Sequence, residues 1–556
     1  MVARVFSLLY KEVKGLHQAA YVLALFTLAS QILAIVRDRT LAHQFGAGYE
    51  LDLYYAAFRI PDLLFVLFAS VLSVYVLLPF VANATNTVEG QRLLSQVFTF
   101  FLLVYTALAA SIFMLAPWLV PWLFSGFDTT AHGTIVTLLR ILLLQPFFLG
   151  LSSLCGVITQ LQHRFVIYAL SPLLYNIGII FGVVVMYEWW GLAGLALGVV
   201  VGAMCHCLIQ APLIVQSELR FRVTFHFDGR ALWQIAKVAI PRALTLSLHQ
   251  VQFLLFVVIA SVMTVGSVSV LQFAYNLQSV PLAIIGASYS VAAFPTLAEL
   301  LAKQKQQDFN LYVLTAMRHI IFWSLPIIAL VIVLRAQIVR VLLGSGSFDW
   351  DDTRLTAAAL AVFVVTLTMQ AVLLLITRAF YAGGKTLLPL VLAGISVTVG
   401  TVCALGLYWL LRSVDVIRQV VVETFRLQEV TGIEVLALPL GFGVGIFLEL
   451  CLLLGASCWV FAMSYRTLLR PFAISCISAL AGGGAAYATL YFVVEGVNQE
   501  KFIGIFMQGL VAGVVGIAVV IITLVLLRSQ ELYEVYSSFR ARIFKTDVVA
   551  PQPEVL

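Results

Sequence analysis

The stretch LAIVRDRTLAHQFGAGYELDLYYAAFRIPDLLFVLF, residues 33–68, sets charge against two apolar runs. Arg37-Asp38-Arg39 follows the first run, and Asp52 and Arg59-Ile60-Pro61 lead into the second. Charged groups at the edge of a membrane span are costly and persist where a polar cargo or an ion is handled. Pro61 lacks an amide N–H, so it is expected to interrupt or start the second helix at the depth where Arg59 projects. The stretch reads as part of a transporter.

The rest of the chain fits that reading. Of 556 residues, 62% are hydrophobic and only 10% charged, against roughly a quarter charged in soluble domains. Solidly apolar runs of about 20 residues cross a bilayer as helices that satisfy their own backbone; a β-barrel would alternate instead. Fourteen spans are expected, at 16–36, 60–82, 93–116, 135–160, 165–187, 191–215, 238–264, 268–294, 317–334, 354–380, 386–411, 435–463, 471–494 and 502–527. The connections leave no room for a soluble enzyme domain. Residues 412–434 read as an amphipathic surface segment, and the tail 529–556 as cytoplasmic and partly disordered. No cleavable signal is expected, because the first span is about as long as a bilayer crossing.

Lys and Arg favour the inner segments by roughly two to one if the N-terminus lies inside, which places both termini in the cytoplasm. Trp118, Trp122, Trp189, Trp190, Trp350 and Trp409 then fall near the outer boundary as an aromatic belt. The net charge of +6 reflects this topology and an anionic inner leaflet rather than nucleic-acid binding. All seven cysteines lie in apolar helices, where thiols act as small hydrophobes. Cys205-His206-Cys207 has no second ligand pair at zinc spacing, so neither a metal nor a cofactor is expected.

A shift of 220 positions lays Gly46 on Gly266, Leu51 on Leu271, Tyr55 on Tyr275, Pro61 on Pro281, Ser70 on Ser290 and Val71 on Val291. The same shift carries spans 1–6 onto spans 7–12. Six crossings separate the copies, so both keep one orientation, as in two parallel lobes with a polar site between them. The expected fold class is an all-α polytopic membrane protein with about 14 transmembrane helices, two six-helix lobes and an extra C-terminal pair. The expected division is 1–220 for the first lobe, 221–434 with 435–463 for the second, 464–528 for the extra pair and 529–556 for the tail.

Arg37, Arg59 and Arg242 are the candidate anion ligands, since a lipid-facing Arg is costly and should face a cavity or snorkel outward. The alternative makes Arg37 and Arg39 interfacial anchors paired with Asp38 and Asp52. Asp38, Asp52 and Arg378 are candidates for charge pairing or gating; Glu449 and His249 are the candidates for coupling, because proton coupling needs a titratable group. Arg140 sits early in span 4. The cluster Asp349-Trp350-Asp351-Asp352 raises the question of a membrane glycosyltransferase, but Asp352-Thr353 precedes an Ala-rich span and is expected to cap it. No acidic or His cluster elsewhere completes a catalytic site.

Four stretches carry a family resemblance. They are Arg37-Asp38 … Phe45-Gly46-Ala47-Gly48 … Asp52 … Ala57-Phe58-Arg59-Ile60-Pro61, Pro241-Arg242 with Gln250, Gly266-Ser267-Val268-Ser269 … Pro281, and Phe348 … Asp352-Thr353 leading to Arg378-Ala379-Phe380-Tyr381-Ala382 … Pro389. Together they resemble the MurJ (MviN/MVF) lipid II flippases across about residues 16–395. The resemblance implies the multidrug/oligosaccharidyl-lipid/polysaccharide exporter fold, alternating access, a cationic cavity for a diphosphate and sugars, and a groove at the last two spans for a polyprenyl tail. Arg pairs with phosphate through two parallel charge-assisted hydrogen bonds.

The chain departs from the family pattern where positive charge is usual. Ser30-Gln31 stands in span 1, Phe65, Val66 and Ser70 in span 2, and Asn276 in span 8. The expected cargo is a polyprenyl-diphosphate glycolipid, lipid II first, with Asn276 among its contacts, membrane lipids around it and cell-wall synthesis proteins as partners. Another lipid-linked oligosaccharide, or a non-transporting scaffold in envelope assembly, remains the alternative.

Overall fold

The computed structural model describes residues 16–73, 76–77, 80–81, 87–162, 164–493 and 502–543. The principal helices are α1 (Leu16–Phe45), α2 (Tyr49–Val71), α3 (Thr87–Leu123), α4 (Thr129–Leu142), α5 (Leu144–Leu161), α6 (Phe165–Phe181), α7 (Tyr187–Leu208), α8 (Gly229–Ala260), α9 (Ser267–Leu282) and α10 (Ser288–Ala302). They continue as α11 (Gln306–Leu342), α12 (Trp350–Val365), α13 (Leu367–Ala382), α14 (Leu387–Ser413), α15 (Asp415–Phe425), α16 (Ala437–Phe461), α17 (Leu469–Val493), α18 (Phe502–Leu526) and α19 (Gln530–Ile543). No strand occurs among the described residues.

Eleven helical stretches are long and apolar enough to cross a membrane, and the pair α12 and α13, bent by 43°, makes a twelfth. The stretch Phe165–Gln216, counted once, reverses at Gly191 (φ 56°, ψ −141°) into the hairpin α6–α7. With α1 as the first crossing, the order is compatible with fourteen. The chain is a multi-pass membrane protein, and the six tryptophans of the expected belt all stand exposed.

Three boundaries differ from those expected. First, α1 runs on to Phe45, so Arg37 and Asp38 lie inside it rather than at its end. The polar groups there find partners, which removes the reason for the helix to stop. Second, α2 already starts at Tyr49 and passes through Pro61; Pro61 costs one backbone hydrogen bond without ending the helix, because the stretch Leu51–Ile60 ahead of it is packed and buried. Third, the tail is helical over Gln530–Ile543, with 544–556 outside the described residues. The segment after α14 is as read over α15, which buries none of its side chains, whereas Leu427, Val430 and Ile433 beyond it are buried.

The chain packs as two compact units. The first gathers Met1–Leu277, Leu342–Ala359 and Thr386–Gly445, so parts of the second sequence copy pack with the first. The second holds Gln278–Val341, Leu360–Lys385 and Ile446–Leu556. In it, α17 and α18 pair along their length, and Phe322, Val520 and Leu524 form a buried cluster with Ile474, Leu532 and Val535 against it.

Within the first unit the α6–α7 hairpin depends on glycine. Gly178 meets Gly202 and Gly182 meets Gly198, with the Cα atoms of one helix lying where a Cβ on the other would go. Such contacts let backbones approach closely, which drives helix association where lipid removes the hydrophobic incentive. Gly198→Val is therefore expected to cost about 1–3 kcal/mol of stability through overpacking, read as a melting temperature several degrees lower in detergent. Gly133→Ala, at a helical position with open space around it, should leave the melting temperature level or slightly raised.

Candidate functional site

Six polar side chains form a continuous line through α1, α2 and α9. Arg37 donates to Asp38 Oδ1 from Nε (2.9 Å) and Nη2 (2.8 Å). Asp38 Oδ2 accepts from Asn276 Nδ2 at 3.0 Å, and Asn276 Oδ1 accepts from Gln272 Nε2 at 2.6 Å. Gln272 Oε1 in turn accepts from Arg59 Nη2 at 3.0 Å, and Asp62 lies 3.7 Å from the same nitrogen. Gln272 and Asn276 can take part together because residues four apart share a helix face.

Arg59 is only 6% exposed. A buried guanidinium is tolerated when its charge is paired and its N–H groups are satisfied. Besides Gln272 and Asp62, Arg59 has the Tyr55 carbonyl, which accepts from Nε at 3.0 Å, and the Phe253 ring, 5.2 Å below its carbon. Counting Arg37 with Asp38 and Arg59 with Asp62, the line carries two positive and two negative groups and balances its own charge. Arg37 lies eight residues before the end of α1, and Arg59 ten residues after the start of α2. At 1.5 Å per residue both sit about 12–15 Å from that end of the bundle.

Toward that end the two sequence copies are fastened backbone to side chain. Asp52, on α2, accepts from the Gly266 amide (2.6 Å), the Ser269 amide (2.8 Å) and the Ser269 hydroxyl (2.6 Å), capping the start of α9. Asp352, on α12, accepts from the Ala47 amide at 3.0 Å, just ahead of α2. The exchange is reciprocal: each copy supplies a carboxylate to the turn before the other copy's helix. Gly46 (φ +62°) and Gly266 (φ +91°), superimposed by the repeat, occupy those turns. A Cβ on Gly46 would stand 2.6 Å from the Ser347 carbonyl oxygen, and one on Gly266 would strike the Ala47 carbonyl. The Ser347 amide also donates to the His43 carbonyl at 2.9 Å.

This geometry corrects the expected role of Asp352. The cap of α12 comes from Asp349, whose Oδ1 accepts from the Asp352 amide at 2.8 Å. Three residues further on, the Asp352 side chain is released to reach another segment. Nearby, Asp128 joins the N-terminus of α4 to Tyr49; the Ala131 amide, then the Tyr49 hydroxyl, hold its carboxyl below the usual range.

Beside the polar line lies a cavity of about 620 Å³ within the first sequence copy. Ser30, Gln31, Phe65, Tyr175, Asn176 and His206 help to line it, and no Lys, Arg, Asp or Glu does so among the described residues. Asn176 joins cavity to line, its Oδ1 accepting from Arg37 Nη1 at 3.1 Å. At the opposite wall the Ser152 hydroxyl sits 2.7 Å from His206 Nδ1. Ser30, Gln31 and Phe65 are positions where the resemblance leads one to expect charge, and this cavity is neutral there.

The other candidates are dispersed. Arg242 and His249 are half-buried on α8. Arg378, half-buried, and Glu449, 3% exposed, belong to the second unit. Arg140 is spent on Phe113, donating to its carbonyl at 3.1 Å with the ring 4.5 Å away. Sequence reasoning missed Asp62, Gln272 and Asn176; the i, i+3 spacing of Arg59 and Asp62 was the one available signal.

Apolar helices around a buried, self-compensated line of charge define a multi-pass membrane protein. Solved structures share this fold: one of lipid II flippase MurJ in an inward closed conformation superimposes with a TM-score of 0.69 at 21% identity, covering 94% of this chain and 99% of that one. An inward-facing multidrug resistance MATE family transporter of the MOP superfamily gives 0.63 at 15% identity over 79% and 95%. The family model described as "Lipid II flippase MurJ" matches residues 41–416, and the chain belongs to that family. Relatives named "Probable lipid II flippase MurJ" include those of Buchnera aphidicola, 28% identical over 66% of this chain and 73% of theirs, and Thermotoga maritima, 27% identical over 66% and 74%.

Removing the Asp52 carboxylate should release the turn before α9. Hydrogen bonds to a charged group contribute about 1.5–3 kcal/mol each, so Asp52→Ala is expected to speed amide exchange at Gly266 and Ser269 at least tenfold. Asp352→Ala should act on Ala47 instead. Unchanged exchange over 266–269 would remove Asp52 from this role.

Proposed function

We propose that this protein moves lipid II from the inner to the outer leaflet of the cytoplasmic membrane by alternating access, without covalent chemistry. The observation that carries the reading is the line Arg37–Asp38–Asn276–Gln272–Arg59–Asp62, which holds two arginines at depth against neutral or exchangeable partners. The names of the relatives supply the cargo. In this reading spans 1–6 and 7–12 are two lobes, both termini are cytoplasmic, and the end fastened by Asp52 and Asp352 faces outward. The described state is then shut to the outside.

The geometry suggests how cargo is sensed. A diphosphate entering the line competes with Asp38 and Asp62 for the guanidinium groups, since Arg and phosphate pair through a fork of two hydrogen bonds. Taking Arg59 frees Gln272, and taking Arg37 leaves Asp38 with Asn276 as its remaining partner in the line. The Arg59 link from α9 to the first copy is thereby lost, leaving Asp38–Asn276 and the two carboxylate contacts to hold the outer end. Sugars and peptide would meet the neutral cavity, where hydroxyl and amide groups offer hydrogen bonds without a charge to satisfy.

Arg59→Ala is expected to lower lipid II translocation at least tenfold in proteoliposomes while the protein still inserts at normal levels. Arg59→Lys keeps the charge but loses the fork and should fall between; full activity in Arg59→Ala would exclude the role. If depletion of the protein in cells leads a different lipid-linked glycan to accumulate on the inner leaflet, the cargo is that glycan.

Alternating access requires the outer end to open. A disulfide between His43→Cys and Ser347→Cys, in a background without the native cysteines, should stop transport, and a reductant should restore it. Undiminished transport by the cross-linked protein would rule out opening at this end.

A further inference from the structure

The second unit contains a cavity that the transport reading does not use. About 590 Å³ in volume, it lies between α11, the start of α17 and the junction of α18 with α19. Arg318, Arg470 and Arg528 line it with a single carboxylate, Glu531. Leu311, Leu314, Leu468, Pro471 and Ile474 form apolar walls.

The three arginines differ. Arg318 is fixed in place: Nε lies 3.2 Å from Glu531 and Nη2 2.6 Å from Glu534, the pair that also ties α19 down. Arg470 and Arg528 are exposed and have no carboxylate partner among the described residues. Arg470 is the second residue of α17, and Arg528 follows the end of α18 by two. Because α17 and α18 pair as consecutive apolar spans, both guanidinium groups stand where the apolar lengths finish, at headgroup depth. Arg528 adopts a left-handed backbone (φ 51°), a conformation usually left to glycine.

We propose that this cavity binds the phosphate group of an anionic membrane phospholipid, with Arg470 and Arg528 as its ligands and the apolar walls receiving the adjoining glycerol and acyl carbons. Two guanidinium groups without a carboxylate partner among the described residues attract the diester's single negative charge, and Arg is the side chain best shaped to hold phosphate. The apolar lining favours a lipid over a free anion, which gains nothing from Leu311 or Ile474. Since α19 shares Arg318 and Glu531 with this cavity, an occupied site also secures the tail helix.

The test uses the full-length protein in phosphatidylcholine nanodiscs containing a minor fraction of phosphatidylglycerol, with native mass spectrometry counting retained lipids. The native chain is expected to keep phosphatidylglycerol that the double variant Arg470→Gln/Arg528→Gln loses, by at least fivefold. Arg466→Gln, on the same surface but outside the cavity lining, should retain it. The melting temperature without phosphatidylglycerol shows whether the double variant is folded; if it is not, Arg470→Gln and Arg528→Gln are measured singly, each expected to reduce retention. Equal retention by native and variant chains, or an equal loss with Arg466→Gln, overturns the site. If inorganic phosphate at millimolar concentration displaces the lipid or raises the melting temperature as much, the lipid source is overturned in favour of a soluble phosphate.

Discussion

A guanidinium inside a membrane protein has to be compensated where it stands. Moving an ion from water into a low-dielectric interior costs several kcal/mol even after relaxation, and Arg59, at 6% exposure, has little water to call on. Its neighbours answer that demand one by one: Asp62 for the charge, Gln272 and the Tyr55 carbonyl for the N–H groups, the Phe253 ring for a face. Because Gln272 belongs to α9 and Asp62 to α2, meeting the requirement joins helices that lie far apart in the chain. The same holds for Asp38, which is shared between Arg37 on its own helix and Asn276 on α9.

A line that balances its own charge has a consequence for any anionic visitor. Each arginine is already partnered, so a diphosphate gains only by exchange, and exchange at Arg59 gives up its link to Gln272 on α9. The turns before α2 and α9 are fastened differently, through carboxylates accepting backbone amides at Gly266, Ser269 and Ala47. Those contacts are local to the turn and need the close backbone approach that glycine at 46 and 266 permits. In the proposed cycle the polar line reports cargo and the two caps are what must give way.

Much of the architecture was legible in order of residues. Long apolar runs and the pairing of Gly46 with Gly266 led to the helices and two turns of like conformation. Helix ends were less legible. Charge at Arg37 and a proline at position 61 signal termination when helices are considered singly, yet neither ends one, since partners on other helices satisfy the charge and packing supports the proline. The acidic run 349–352 shows the limit sharply: adjacent aspartates are equivalent by composition, and only the fold assigns Asp349 to its own helix and Asp352 to Ala47.

By itself the sequence determined that this is an all-helical membrane protein built on a repeat, because hydrophobic length and periodicity act locally and need no partner. It also put Arg37, Asp38, Asp52 and Arg59 in view, because charge among apolar runs stands out wherever it occurs. Tertiary structure alone decided which of these groups meet. Asp62, Gln272 and Asn276 complete the line, and Asp352 crosses to Ala47, through contacts between residues up to 305 positions apart. Hydrogen bonds act over about 3 Å, a distance that no one-dimensional spacing encodes once the chain has folded back on itself.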